Sequence, residues 1–246
     1  MKGIVFAAGI GSRLRPITDH TPKALVEING VPMLRRAIDN LRHTGIHDIV
    51  VNIHHHPDKV TAYLKSEGLL DQGIVISDES DMLLDTGGGL LKALSIIGED
   101  EPLVAINADI LTDIPVRTLI SHHLRHNSDV SLAVMTRLAS RMLLFDADMR
   151  MHGWHNTHTG ETKPTGIDTA SLRPFGFCGI HILSPETFPL LRQYAVTSPK
   201  FSLTPFYIDN TDNLNIHGVE FSNQYMWHDI GTPERLDAAR KAMRHT

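Results

Sequence analysis

The sequence predicts an α/β protein with a mostly parallel sheet and helices on both of its faces. Three observations carry that reading. Short, continuously apolar runs recur along the chain, as strands buried on both faces require. Segments with apolar residues at helical spacing alternate with those runs, the order that builds strand–helix–strand crossovers. Polar, chemistry-bearing residues fall directly after the runs, at the carboxyl ends of strands, where open α/β sheets bind ligands. The 246 residues suffice for one large domain, and the chain is read as a single unit over 1–246. A first half, 1–135, alternates strand and helix, and a second half, 136–246, changes character.

Taken in order, the first strand covers 2–8. Pro32 opens a helix with Met33, Leu34, Ala37, Ile38 and Leu41 on one face, and Gly45 ends it. A strand over 48–53 precedes a helix from Pro57 through Val60, Tyr63 and Leu64 to Gly68, and a third strand covers 73–77. Leu90, Leu91, Ala93, Leu94 and Ile97 then recur at helical spacing. The apolar run 103–106 delivers Asn107, Ala108 and Asp109 at its end. A helix over 115–127 and a strand over 130–135 complete the alternation. Beyond these, 141–154 reads as short strands, and 155–174, rich in Thr, Gly and Pro, as an exposed hairpin or loop. A strand over 175–183, a helix over 185–194 and a strand over 214–221 follow. Thr232 caps a last helix, with Pro233 in first position and Glu234 in the first turn.

Composition narrows the function. Lys and Arg total 23 against 28 for Asp and Glu, a formal charge of −5, which argues against nucleic acid or an anionic membrane as partner. No apolar stretch approaches the roughly 20 residues that cross a bilayer. The run after Met1-Lys2 breaks at Gly9, too early for a secretion signal. Cys178 is the only cysteine, so no intrachain disulfide forms and a cytoplasmic location is expected. The 16 histidines include His54-His55-His56 and the set His122, His123 and His126. Either group could face a metal, but a strand-to-helix turn and a polar helix face account for them better, since a closed site also needs further ligands.

The chemistry concentrates after the first strand. Ala7-Ala8-Gly9-Ile10-Gly11-Ser12-Arg13-Leu14-Arg15-Pro16 turns sharply, and Pro22-Lys23-Ala24-Leu25 follows. Gly9 and Gly11 admit positive φ and let a ligand approach the backbone. Arg13 offers a planar fork to phosphate oxygens and Lys23 a compact charge, so the stretch reads as a phosphate cradle. A dinucleotide fingerprint is the rival, but its third glycine position holds Leu14. A second Gly-rich stretch, Leu84-Asp85-Thr86-Gly87-Gly88-Gly89, reads as a helix cap, with Asp85 or Thr86 as N-cap, and as a backbone that a ligand approaches closely. Asp109 and Asp229 each follow an apolar strand and precede a turn. Alone, each could be a turn aspartate; together beside a phosphate cradle they suit Mg²⁺, which takes one or two carboxylates plus phosphates and waters.

These motifs closely resemble the signature of the sugar-phosphate nucleotidyltransferases, and the matches span residues 3 to 235. The resemblance implies a Rossmann-like sheet with a small antiparallel annex that covers the sugar. It implies a nucleotide-binding half over 1–135, and a half over 136–246 that binds the sugar and supplies the second metal ligand. Asn107-Ala108-Asp109 is similar to the family's metal-binding aspartate motif, with Ala108 where many members carry Gly. Trp227-His228-Asp229-Ile230-Gly231-Thr232-Pro233 is similar to the second metal motif. The family's Glu-Lys-Pro corresponds here to Glu161-Thr162-Lys163-Pro164.

By that resemblance Ala7, Ala8, Gly9, Gly11, Ser12, Arg13, Lys23, Gly87 and Gly88 contact the nucleotide. Asn107, Glu161, Lys163 and Gly179 contact the sugar, Asp109 and Asp229 hold Mg²⁺, and Arg13, Lys23, Asp109 and Asp229 carry catalysis. The implied substrates are a nucleoside triphosphate and a sugar 1-phosphate. The latter is already an anionic nucleophile, so positioning and charge neutralisation are needed rather than a strong base. Within the family the single-domain length and the Leu84-Asp85-Thr86-Gly87-Gly88-Gly89 loop resemble those of N-acetylmuramate-1-phosphate uridylyltransferases, with mannose-1-phosphate guanylyltransferases close behind and phosphocholine-type cytidylyltransferases a third candidate. A nucleotide-sugar sensor without turnover is the alternative from another class.

Overall fold

The computed structural model describes residues 1–244. Strand β1 (Lys2–Phe6) leads into the helical turns Ser12–Leu14, Ile17–Asp19 and Lys23–Leu25 and the small hairpin β2 (Glu27–Ile28) and β3 (Val31–Pro32). Then α1 (Met33–Arg42), β4 (Ile49–Ile53), α2 (Pro57–Ser66), β5 (Ile74–Asp78), α3 (Asp85–Ile97) and β6 (Leu103–Asn107) alternate as expected. A three-residue strand β7 (Ile110–Thr112) precedes α4 (Val116–His126) and β8 (Val130–Met135). The second half comprises β9 (Arg141–Phe145), β10 (Met151–Asn156), β11 (Thr162–Lys163) and β12 (Arg173–Leu183). It continues through α5 (Phe188–Ala195), α6 (Leu203–Asp209), β13 (Ile216–Glu220), β14 (Trp227–Asp229) and α7 (Pro233–Ala242).

One ten-stranded sheet runs through both halves, in the path β11-β10-β9-β12-β6-β1-β4-β5. Pairing is parallel from β6 through β1 and β4 to β5, and these strands are almost wholly apolar because helices cover both faces. Beside β6 the direction reverses. β12 lies antiparallel to β6 and to β8, and β8 takes β13 as a parallel partner. The strand over 130–135 therefore joins the sheet through the second half, which a hydrophobic run cannot reveal because it carries no sign of direction. β9, β10 and β11 form the antiparallel annex.

Three packed clusters hold this arrangement. One lies between the sheet and α1, α2 and α4, and a second is built from α3, α5, α6 and the annex. The third joins the cradle to the end of the chain, with Leu14, Ile28, Met33, Leu111, Ile230 and Leu236 buried together. Leu14 thus has a packing reason to stand where a dinucleotide fingerprint has glycine. No helix among the described residues is long and apolar enough to cross a membrane.

Candidate active site

The site forms at the carboxyl ends of β1 and β6. Gly11 sits at φ 67°, and a Cβ there would come within 2.9 Å of Thr18 Cγ2 and 3.1 Å of Lys23 Cβ. Only glycine lets the loop close on Lys23. The Thr18 hydroxyl donates to the Gly11 carbonyl at 2.8 Å and locks the turn. Ala7, Ala8, Gly9, Lys23, Asn107 and Asp109 line one cleft together with Phe6, Asn52, Leu83, Asp85 and Thr86. Lys23 forms an ion pair with Asp109 at its mouth. Nothing lies within 4 Å of a Cβ placed on Gly9, so the backbone there is open. Ser12 is exposed in the adjoining turn.

Asp229 is brought to Asp109 by the backbone. β14 pairs antiparallel with β7, setting Asp229 opposite Ile110, and Ile230 N–H donates to the Asp109 carbonyl at 3.1 Å. The cleft around Asp229 is lined by Arg13, Arg137, Arg141, His228 and Arg235, with Arg235 paired to Asp229. Asp229 also accepts from Gly231 N–H at 2.6 Å, which fixes its carboxylate against the start of α7. Arg13 therefore faces the Asp229 side of the site, whereas Lys23 faces the Asp109 side.

Glu161 and Lys163 lie in a third cleft with Trp154, Phe177 and Tyr194, and this cleft shares Arg137 and Arg141 with the one around Asp229. Gly179, at φ 75°, sits on the bulge of β12 so close to Asn107 that a Cβ would stand 3.0 Å from its Nδ2. It acts as backing for Asn107.

Gly87 and Gly88 differ from expectation. The close approach they permit is occupied by the chain itself, the Phe201 ring against Gly87 and the Pro199 carbonyl against Gly88. Gly87 N–H also donates to the Phe201 carbonyl at 2.8 Å. The N-cap is Leu84, with Asp85 the first helical residue at φ 63°, and the Thr86 hydroxyl accepts from Leu203 N–H at 2.9 Å instead of capping α3. At this end Leu83, Asp85 and Thr86 line the first cleft.

Sequence reasoning missed the pair that fixes both walls of the first cleft. Asn52 accepts from Ala7 N–H at 2.7 Å and donates to Glu79 at 2.8 Å. Glu79 accepts in turn from Leu84 N–H at 3.0 Å, and both side chains are buried. The available signal was one amide, Asn52, inside the apolar run of β4. Arg137 was missed as well; burial lowers its pKa. Burial raises the Cys178 thiol to about 12, so it is no nucleophile at neutral pH.

The histidines fall elsewhere. His123 is bridged to Ser131 and Ser184, and the His122 and His126 rings stack at 4.1 Å. His54 bonds the Glu79 carbonyl and His55 packs on His56. Among the described residues no group of three or more His, Cys, Asp or Glu is arranged to hold a metal ion. Asp109 and Asp229 are the carboxylates that the backbone brings beside the cradle, and two carboxylates would suit an ion that keeps waters and takes phosphate oxygens.

Comparison with known proteins places these features. The sequence profile described as "Nucleotidyl transferase" matches residues 2–142. The chain is 30% identical over 243 residues to N-acetylmuramate alpha-1-phosphate uridylyltransferase of Caulobacter vibrioides, covering 96% of this chain and 94% of that protein. It is 36% identical over 242 residues to mannose-1-phosphate guanyltransferase of Aspergillus fumigatus, covering 95% of this chain but 62% of that protein. In fold it is similar to the crystal structure of apo UDP-glucose pyrophosphorylase, with TM-score 0.78, 17% identity and coverage of 100% and 98% of the two chains.

Proposed function

The chain belongs to the nucleotidyl transferase family, and from that membership we propose that it transfers a nucleoside monophosphate from a nucleoside triphosphate to a sugar 1-phosphate, releasing pyrophosphate. The observation that carries the reading is that β14 sets Asp229 beside the turn holding Asp109, residues from distant parts of the sequence, with Lys23 on one and Arg13 near the other.

In this reading an oxygen of the sugar phosphate attacks the α-phosphorus in line, and the bond to the β-phosphate oxygen breaks. The nucleophile is already ionised, so the site's work is orientation and neutralisation of charge. Lys23 serves the phosphate chain from the Asp109 side and Arg13 from the Asp229 side. Asp109 and Asp229 would hold Mg²⁺, the ion typical of this family, and when bound it supplies positive charge at the reacting phosphate. The first cleft, walled by Ala7 and Leu83, receives the nucleoside. The cleft of Trp154, Glu161, Lys163 and Phe177 receives the sugar, with Asn107 between them. These soluble substrates and the lone cysteine support a cytoplasmic setting.

For the substrate pair, end-to-end coverage of the uridylyltransferase supports N-acetylmuramate 1-phosphate with UTP. The higher identity to the guanyltransferase supports mannose 1-phosphate with GTP as the second reading. A grid of four nucleoside triphosphates against several sugar 1-phosphates, scored by released pyrophosphate with and without Mg²⁺, decides between them. The reading expects release from the first pair, dependent on Mg²⁺. Nucleotide binding with release in no cell of the grid would favour a sensor.

A further inference from the structure

Arg137 stands where two clefts meet, lining both the one around Trp154 and Lys163 and the one around Asp229. It is a largely buried cation that forms no ion pair among the described residues, although the charge of Asp229 acts on it. Its Nη2 donates to the Phe177 carbonyl at 2.6 Å, and its guanidinium lies 3.9 Å from the centre of the Trp227 ring. Neither partner is charged. Nε is buried with no hydrogen-bond partner, and Asp229, the carboxylate of the shared cleft, pairs with Arg235 instead.

Room for this arrangement is made in the backbone. A Cβ on Gly176 would come within 2.7 Å of Arg137 Nε and 2.8 Å of its Cγ and Cζ. The ring beneath is itself fixed, because Trp227 Nε1 donates to the Cys178 carbonyl at 2.9 Å. Holding a guanidinium away from water without a direct ion pair is costly, so the arrangement makes sense where an anion arrives. A flat, stacked fork matches phosphate oxygens better than a flexible ammonium would.

We propose that Arg137 binds the phosphate of the sugar 1-phosphate, holding it on the Asp229 side of the reacting centre while the sugar extends into the cleft of Trp154. The assignment rests on the nucleotidyl-transfer reading. It makes Arg137 a substrate-binding residue selective for the second substrate, whereas a strut that merely joined β12 to β14 would disturb both substrates alike.

The test is steady-state pyrophosphate release with UTP and N-acetylmuramate 1-phosphate, and with GTP and mannose 1-phosphate, wild type first. Arg137→Met should raise KM for the sugar phosphate about tenfold or more and leave KM for the triphosphate within about twofold. Arg137→Lys, which keeps the charge and loses the fork, should fall between. An unchanged KM for the sugar phosphate, or an equal rise in both constants, overturns the assignment. Should Arg137→Met fail to fold, Arg137→Lys decides: a KM raised for the sugar phosphate alone supports it, and wild-type constants overturn it. A wild-type chain that releases pyrophosphate in no cell of the full grid overturns the transfer reading and this assignment with it, an outcome distinct from one confined to the variants.

Discussion

Lys23 and Asp109 show how much one contact decides. Their ion pair is partly shielded, with side-chain exposures of 12% and 29%, so desolvation offsets much of the attraction and its net contribution to stability is small. Its weight falls on function, because removing a preorganised charge partner costs about 3 kcal/mol of transition-state stabilisation, roughly a hundredfold in rate. Lys23→Ala and Asp109→Asn should each slow pyrophosphate release by that order while the melting temperature hardly moves; near-wild-type turnover in either would remove its role. The cradle proposed for Lys23, Gly9, Gly11 and Arg13 could be read from the sequence because its residues are neighbours along the chain. Asn52, Glu79 and Arg137 were not, because each acts through partners far away in sequence: the Ala7 and Leu84 amides for the first two, the Trp227 ring and Phe177 carbonyl for the third.

At the scale of elements, long apolar runs announced themselves. β1, β4 and β6 are buried on both faces, and continuous hydrophobicity is what such strands require. α7 was equally plain, since Thr232 accepts from Arg235 N–H as an N-cap should. β7 and β14, the strands that bring the two acids together, are three residues each and too short for a periodic signal. α6, Leu203–Asp209, has Pro205 in its first turn and was hidden likewise. The Gly-rich start of α3 was seen, but sequence could not reveal that the chain's own 199–201 segment packs against Gly87 and Gly88. Gly87→Ala makes that concrete. The added methyl meets the Phe201 ring, and overpacking of this kind costs about 1–3 kcal/mol, so thermal unfolding should move down by several degrees. An unchanged melting curve would show that the segment yields freely.

Across the whole molecule, burial sets how stability responds to pH. Burial lowers His181 to about 3, and lowers His122 and His123 to about 4 with neighbouring histidine charge contributing. The unfolded chain takes up these protons near pH 6.5 while the folded one does not, so the unfolded state binds more protons between those values and stability falls as pH drops below about 6.5. Melting temperature should hold steady from pH 8 to 7 and decline from about 6.5 to 5, with a shallower decline in His181→Leu; a flat profile over that interval would contradict it. The fold's larger achievement is to carry one sheet through both halves and to add a separate two-stranded ribbon, β14 with β7, that sets the backbone of Asp229 beside that of Asp109. The central claim is that these two acids serve one ion at one reacting phosphate, and residues that act as a unit lose activity non-additively. The direct measurement is a double-mutant cycle of kcat at saturating Mg²⁺ with Asp109→Asn, Asp229→Asn and the pair. The account predicts that the double variant is about as slow as either single one, and losses that multiply would show two acids working independently.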